Sequence, residues 1–198
     1  MGRYAVIITG ASGSVYGLRL VERLLSTRNE VELIVTSAGR GLLAYELELD
    51  LPAEETARAL LRYLELPLDA PLRIACPDDL FDPLVSGSYP VDATVVIPAS
   101  MGFCASVAAG LASGLSERTA EVALKEGRRL ILVPRETPLS LVHLRNLTSL
   151  AEAGAVIVPA MPAFHHHPQT LDDQVNYVVG KVLEVLGIAH DLYARWGA

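Results

Sequence analysis

Six short apolar segments, each followed by a stretch with helical periodicity, constrain the fold of this chain most strongly. They comprise residues 4–9, 30–36, 72–75, 92–100, 128–134 and 154–160. Because most of these segments are continuously apolar, both faces of the sheet that they form should be covered by helices. A repeated strand-then-helix order is typical of parallel α/β sheets. The sequence therefore predicts a doubly wound, Rossmann-like sheet in one domain over residues 1–198, with a C-terminal tail from about residue 188.

Composition excludes several classes of protein. A length of 198 residues suits one domain of this kind, and the net charge of −7 argues against a nucleic-acid partner. The apolar stretches are interrupted well short of the roughly 18 residues that a membrane span needs. The N-terminus has no signal-peptide pattern, and the two cysteines, Cys76 and Cys104, make no disulfide framework. We therefore expect a cytoplasmic protein without a membrane segment.

A glycine-rich turn, "TGASGS", joins the first strand to the first helix. Its glycines, with Gly10, Gly13 and Gly17 in this region, do not have the G-x-G-x-x-G spacing of dinucleotide sites. The second strand ends in Thr36 and Ser37, where those sites place an acidic residue. NAD is therefore disfavoured, and two readings stay open: a phosphate site at a helix N-terminus, or a plain tight turn.

Two further loops follow strands, "PASMGF" and "PRETP". The first should open a helix at Ser100 with unpaired backbone N–H groups, and the second places Arg135 and Glu136 at a strand end. Because the carboxyl ends of parallel strands meet at one edge, we expect these loops to border a common crevice. A helix from about Glu117 would put Arg118 and Lys125 on one face, as an anion site or as a solvated face.

Three consecutive histidines, His165 to His167, do not predict a metal site. Neighbouring side chains on an extended chain point in opposite directions, and no cysteine or aspartate cluster with the spacing of metal ligands lies nearby in the sequence. We expect Cys104, inside an apolar helix, to be inert packing. No G-x-S-x-G pattern supports an acyl-transfer triad.

Taken together, the loops resemble a known family. The segments "TGASGSVYGLRL", "PASMGF", "LSERTAEVALKEGRRLILVPRETPLSLVHLRNL", "GAVIVPAMPAF" and "GKVLEVLGI" are similar to the flavin prenyltransferases, the UbiX-like group of the homo-oligomeric flavin-containing Cys decarboxylases. The resemblance extends from residue 7 to residue 196. The run through "LILVPRETP" is its most specific part. An older description of this group as aromatic acid decarboxylases attaches to the same motifs.

The resemblance implies a function. Members join the dimethylallyl group of dimethylallyl phosphate to N5 and C6 of reduced FMN without a metal ion. They hand the prenylated FMN to a UbiD-type decarboxylase. Their usual assembly is a homododecamer with the flavin between subunits. For this chain, the resemblance implies FMN as cofactor, a dimethylallyl donor, a homo-oligomer, and a decarboxylase as recipient.

The resemblance also implies roles for individual residues. Ser12 and Glu46, expected on loops after strands, match a pair that handles protons at the flavin, and Glu136 matches an acid beside the prenyl phosphate. The residues expected to bind the flavin are Gly10, Ala11, Ser12, Thr36, Ser100, Met101, Gly102, Phe103 and Arg135. The residues expected to bind the donor phosphate are Arg118, Lys125, His165 and Lys181.

Three residues depart from the family pattern, all on the donor side. His165 stands where a phosphate-binding tyrosine is common, Lys181 replaces an arginine, and Leu80 replaces an aromatic residue that covers the prenyl pocket. Two other functions therefore stay open, a non-catalytic FMN carrier and a flavin-dependent cysteine decarboxylase. The decarboxylases carry Pro-Ala-Ser-Ala-Asn-Thr and an early catalytic histidine, whereas this chain has "PASMGF" and no histidine in residues 40–75.

Overall fold

A computed structural model describes residues 1–52, 56–195 and 197, so the last residues of the predicted tail, Trp196 and Ala198, lie outside it. Its six strands pair in parallel in the order β3-β2-β1-β4-β5-β6. The strands are β1 (Arg3–Ile8), β2 (Glu30–Val35), β3 (Leu72–Ala75), β4 (Ala93–Ala99), β5 (Arg129–Pro134) and β6 (Val156–Ile157). This order confirms the predicted doubly wound sheet.

Helices cover both faces of the sheet, as the continuous apolar strands predict. In the described part of the chain they are α1 (Ser14–Ser26), α2 (Ser37–Leu47), α3 (Thr56–Tyr63), α4 (Met101–Ala108), α5 (Leu115–Lys125), α6 (Leu141–Glu152) and α7 (Leu171–Leu186). One buried cluster joins the sheet to α1, α2, α3 and α7, and the other joins it to α4, α5 and α6. Adjacent residues of β1 contribute to opposite clusters, since side chains alternate along a strand.

The first helix lies unusually close to the sheet because of Gly17. A Cβ atom at this position would lie 2.5 Å from the carbonyl oxygen of Ile97 and 2.7 Å from Cγ1 of Ile8. No other residue fits there without moving α1, since backbone cannot yield as a flexible side chain can. Gly17 therefore fixes the position of α1 at the junction of β1 and β4.

Residues 188–195 pack against the rest of the domain. Ile188 N donates to Leu183 O at 2.9 Å, and Ile188 and Leu192 contact the core cluster on the α7 side. Arg23 of α1 forms an ion pair with Asp191 at 2.6 Å. No helix in the described residues is both long and apolar enough to cross a bilayer.

Candidate active site

The crevice at the carboxyl ends of β2, β1, β4 and β5 brings four loops together, because these strands are neighbours in the sheet. Thr9 links two of the loops: its hydroxyl donates to Pro98 O and accepts from Ser100 N, both at 2.8 Å. Arg135 links a third, since its Nε donates to Ser12 O at 2.9 Å. The structure thus gathers the predicted flavin-binding residues. The hydroxyl of Thr9, one of three in this turn that favour an anion site in the sequence, is instead used in joining the two loops.

Two helices point their N-termini into this crevice. The Thr36 side chain caps α2 by accepting from Gly39 N at 3.1 Å, and the Ser100 side chain caps α4 by accepting from Phe103 N at 3.2 Å. The other first-turn N–H groups of a helix have no partner within it, and they carry the positive end of the helix dipole. The crevice therefore suits a phosphate, which binds readily at such termini.

Gly10 allows the β1 loop to lie directly on α2. A Cβ atom at Gly10 would be 2.6 Å from Cβ of Ala38 in the first turn of that helix. Gly102, at the start of α4, is exposed and has open space where a Cβ would be. Gly10 thus permits the close contact with α2, whereas Gly102 leaves backbone open at the start of α4, as close approach of a ligand requires.

Glu46 lies in the last turn of α2, so the prediction that it sits on a loop is wrong. The helix continues through Leu47 and ends at Glu48, which has a left-handed conformation with φ of 51°. The Glu46 carboxylate accepts hydrogen bonds from Gly13 N and Ser14 N, both at 3.0 Å. It thereby fills the N-terminus of α1, where Gly13 offers no side-chain cap.

The environment of Glu46 keeps its carboxylate ionised. Burial acts to raise its pKa, but hydrogen bonds from the Ser12 side chain and from the backbone of Ser14 and Gly13 outweigh this and lower the pKa. Glu46 is therefore an acceptor at neutral pH rather than an acid. Because its carboxylate occupies the N-terminus of α1, that terminus is not available to a phosphate. The N-termini of α2 and α4 remain available in this crevice.

Glu136 follows Arg135 at the end of β5 and is exposed, with one carboxylate oxygen accepting from Thr137 N at 2.9 Å. Leu80 lies in the loop after β3, the edge strand next to β2, and its side chain is 48% exposed. Its neighbour Phe81 is 97% exposed, so an aromatic ring is available one residue from the position that lacks it.

Cys104 is buried in α4, and burial raises the pKa of its thiol to about 12, as expected for a cysteine that only packs in the core.

The two predicted cations of α5 do not reach this crevice together. Arg118 pairs with Glu121 at 2.7 Å, and Lys125, at the end of α5, pairs with Glu126. Lys125 precedes β5, whose first residue, Arg129, is opposite the first residue of β4. It therefore lies at the amino end of the sheet, roughly 20 Å from the crevice by strand rise.

His165, in the loop before α7, and Lys181, on α7, are linked through Tyr177. The rings of His165 and Tyr177 are 5.7 Å apart, and Lys181 follows Tyr177 by one helical turn. The C-terminal part of α7 lies at the amino end of β5, because Arg129 Nη1 donates to Val185 O at 2.6 Å. Within one chain, Lys125 and Lys181 are thus separated from the flavin residues. The spacing of Arg118 and Lys125 predicted that they share one face of a helix. It could not predict at which end of the sheet Lys125 lies.

The histidine run, His165 to His167, does not belong to a metal centre in the described residues, where no group of three or more His, Cys, Asp or Glu side chains could hold an ion. His166 instead stacks on Tyr177, with ring centroids 5.2 Å apart and planes 7° from parallel. Stacked rings account for this histidine better than ligation does.

Comparison with known proteins agrees with this arrangement. The sequence model of the family described as "Flavoprotein" matches residues 2–186. "Flavin prenyltransferase UbiX" of Halalkalibacterium halodurans is 43% identical over 196 residues, which are 99% of this chain and 94% of that protein. "Flavin prenyltransferase UbiX" of Pseudomonas aeruginosa is 42% identical, over 98% of this chain and 94% of its own. The chain belongs to the UbiX flavin prenyltransferase family.

Solved structures of the UbiX family share the whole fold. AnUbiX in complex with FMN and dimethylallyl pyrophosphate has a TM-score of 0.89 and 33% identity, over 100% of this chain and 98% of that one. A dodecameric FMN-dependent UbiX-like decarboxylase from Escherichia coli O157:H7 has a TM-score of 0.86 and 38% identity, over 99% and 100%. The cypemycin decarboxylase CypD, at 17% identity and a TM-score of 0.60 over 80% and 83%, shares the fold alone.

Proposed function

We propose that this chain is a flavin prenyltransferase that joins a dimethylallyl group to N5 and C6 of reduced FMN. The observation that carries the proposal is the crevice at the carboxyl ends of β1 and β4. There, two helix N-termini and Arg135 surround backbone left open by Gly10 and Gly102. These features fit the phosphate and ribityl chain of FMN, and members of the family with full-length similarity carry this activity in their names.

Reduced FMN supplies the nucleophile, and the residues of the chain supply position, charge and proton handling. Ser12 and the ionised Glu46 are suited to accept and relay a proton at the flavin edge of the crevice. Glu136 is suited to donate a proton to the departing phosphate. Breaking the allylic C–O bond leaves negative charge on that phosphate, which Arg118, Lys125 and Lys181 would stabilise.

The separation of these residues within one chain favours a site shared between copies. Lys125 and Lys181 lie away from the crevice of their own chain, so a second copy must present them to it. Exposed apolar side chains at the start of α6 and in the loop before α7 supply surface for such contacts: Leu141, Val142, Leu144, Met161 and Phe164. We propose a homo-oligomer, and a dodecamer by analogy with the relative from E. coli.

The test is to incubate the protein anaerobically with reduced FMN and either dimethylallyl phosphate or dimethylallyl pyrophosphate, and then to weigh the released flavin. We expect a flavin heavier by one isoprene unit with at least one donor, which also decides whether the donor carries one phosphate or two. An unchanged flavin with both donors would leave the role of a non-catalytic FMN carrier. A flavin-dependent cysteine decarboxylase would instead release CO2 from a cysteine-ended peptide.

The recipient of the product and the location are predictions as well. We infer that the prenylated FMN passes to a UbiD-type decarboxylase, and addition of the product to such an enzyme lacking cofactor should restore its decarboxylation. We also propose a cytoplasmic location, on the cysteine usage and the apolar pattern of the sequence. Fractionation of cells tests it.

His165 should make donor binding sensitive to pH. An imidazolium donates from both ring nitrogens and carries charge, so it binds a phosphate better than neutral imidazole does. Histidine titrates in the range where tyrosine does not. We expect the apparent donor affinity to weaken about tenfold as pH rises from about 6 to 9, measured as KM for the donor.

The variant His165→Tyr is the control, because it retains the donor's own second phosphate ionisation near pH 6 and loses only the titrating ring. Its profile should be flatter than that of the wild type. Superimposable profiles would mean that this ring does not meet the phosphate in the assembled site.

A further inference from the structure

The segment of residues 188–195, here called the C-terminal clasp, is built into the surface of α7. The Tyr193 hydroxyl donates to Glu184 Oε1 at 2.7 Å, and the Tyr193 and His190 rings are 5.2 Å apart. The His190 side chain is only 2% exposed. Gly180 makes room for both rings, since a Cβ there would lie 2.8 Å from Cε1 of His190 and closer still to Tyr193. The clasp is therefore a fitted element.

Glu184 shares its carboxylate between the clasp and Lys181. One oxygen accepts from Tyr193, and the other accepts from the ammonium of Lys181 one turn earlier. Burial acts to raise the pKa of Glu184, but the bonds from Lys181 and Tyr193 lower it, so the carboxylate stays ionised. Release of the clasp would remove the bond from Tyr193 and the longer contacts of His190 and Arg195 with this carboxylate, at 3.7 and 4.0 Å, and would leave the bond from Lys181.

The clasp also contacts the neighbourhood of His165. The rings of Tyr193 and Tyr177 are 4.9 Å apart, and Tyr177 in turn contacts His165 and His166. Tyr177 thus lies between the clasp and the loop that carries His165. Each of the two donor-side residues is therefore linked to the clasp through one other residue, Lys181 through Glu184 and His165 through Tyr177.

We propose that the C-terminal clasp positions the donor-phosphate residues, with Tyr193 and Glu184 as positioning residues that hold Lys181 and, through Tyr177, His165. The inference rests on the proposed function, because it takes these two residues to bind the donor. It assigns to residues 184–193 a role in the affinity for the allylic phosphate.

The physical reason lies in the lysine at position 181. A lysine offers a point charge on a flexible stem, whereas an arginine offers a rigid fork that engages a phosphate at two points. Binding a flexible side chain loses rotamer freedom, and a side chain that is already held loses less. The ion pair with Glu184 and the clasp behind it supply the orientation that an arginine would carry in its own geometry.

Two variants release the clasp by different means. Tyr193→Phe removes the bond to Glu184 but keeps the ring, and Gly180→Ala fills the space under both rings. In each, we expect faster hydrogen exchange across residues 188–195 and a KM for the donor raised about tenfold, with kcat and the FMN affinity within about twofold of wild type. Two variants are available because one could fail to fold.

Matched substitutions serve as controls. Tyr63→Phe changes an exposed tyrosine of α3, and Gly41→Ala adds a Cβ in α2 where nothing lies within 4 Å. Both should leave hydrogen exchange of the clasp and donor KM unchanged. A third arm introduces Lys181→Arg, and Tyr193→Phe should raise donor KM less in that background, since the fork orients itself. If the clasp had only a structural role, Tyr193→Phe would raise donor KM by the same factor in the wild-type and Lys181→Arg backgrounds.

Three results would overturn the inference: a released clasp with unchanged donor KM, a raised donor KM without release of the clasp, or an equal rise of donor KM in the wild-type and Lys181→Arg backgrounds. Failure of the proposed function is a separate observation, because it shows in the wild type as an unchanged flavin mass before any variant is compared.

Discussion

Glu46→Gln and Ser12→Ala are expected to slow formation of the prenylated flavin by about a hundredfold while FMN remains bound. Glu46 is an ionised acceptor held by Gly13 N and Ser14 N, with the Ser12 side chain as a further donor. Removal of either side chain breaks the pair that is suited to move a proton. The phosphate of FMN should stay in place, because we propose that it binds at the termini of α2 and α4, which neither substitution changes.

The glutamine variant carries a further penalty. An amide has one accepting oxygen and a donating NH2 group, whereas the carboxylate accepts with both oxygens. The amide oxygen can take the place of Oε2 and accept from both Gly13 N and Ser14 N, so the NH2 group replaces only Oε1, which makes a second contact to Gly13 N at 3.1 Å. The negative charge at the N-terminus of α1 is lost, at a cost of about 0.3–1 kcal/mol. We therefore expect a lower melting temperature for Glu46→Gln than for Ser12→Ala.

The measurement is single-turnover formation of the product, followed by the flavin spectrum, beside a titration of FMN. Glu48→Gln is the matched control, because Glu48 lies two residues away, exposed at the end of the same helix. It should react at the wild-type rate. Wild-type rates in both Ser12→Ala and Glu46→Gln would reduce these residues to a role in structure.

Two inactive variants should restore activity when they are mixed. Lys125→Ala is expected to lower activity at least a hundredfold, because a cation is lost where charge develops on the phosphate. Glu46→Gln is similarly impaired. Lys125 lies at the amino end of its own sheet, so the homo-oligomer that we propose would take the crevice of each site from one copy and α5 from another. In mixed oligomers, some sites then receive both intact residues.

Random mixing of equal amounts should give about one quarter of the wild-type activity, since each site draws its two parts independently. The two chains are expressed together with different tags, and the doubly tagged oligomer is isolated and assayed. An oligomer of chains that each carry both substitutions is the control, and it should stay inactive. Mixed oligomers no more active than their parents would indicate a site within one chain.

The strand segments were predictable because a continuous apolar run has few alternatives once helical periodicity flanks it. The sixth strand shows the limit: a segment was expected over residues 154–160, but the regular strand covers only Val156–Ile157, although Val158 N and Ala160 N still donate to Leu132 O and Pro134 O of β5. Pro159 cannot donate to the ladder, and an edge strand has one neighbour to hold it. Composition identifies such a segment as extended without defining how far it pairs.

The predicted flavin residues could be found because each follows a strand, and parallel strands end at one edge. The position of Glu46 could not be found in this way, since its partners at Gly13 and Ser14 are more than thirty residues earlier. The bond between Glu184 and Tyr193 escaped prediction for a similar reason. A glycine inside α7, at Gly180, was the one signal in the sequence that something packs closely there.

The bond between Glu46 and the start of α1 has a consequence for how donor specificity can be redesigned. One carboxylate both completes a helix and faces the reacting region, so substitution at this position changes reactivity and loop shape together. Selection for new allylic donors will therefore meet a barrier at Glu46 whatever the donor. On the donor side, Leu80 and Phe81 are exposed and carry no such double constraint, so libraries directed there should yield more folded, FMN-binding clones.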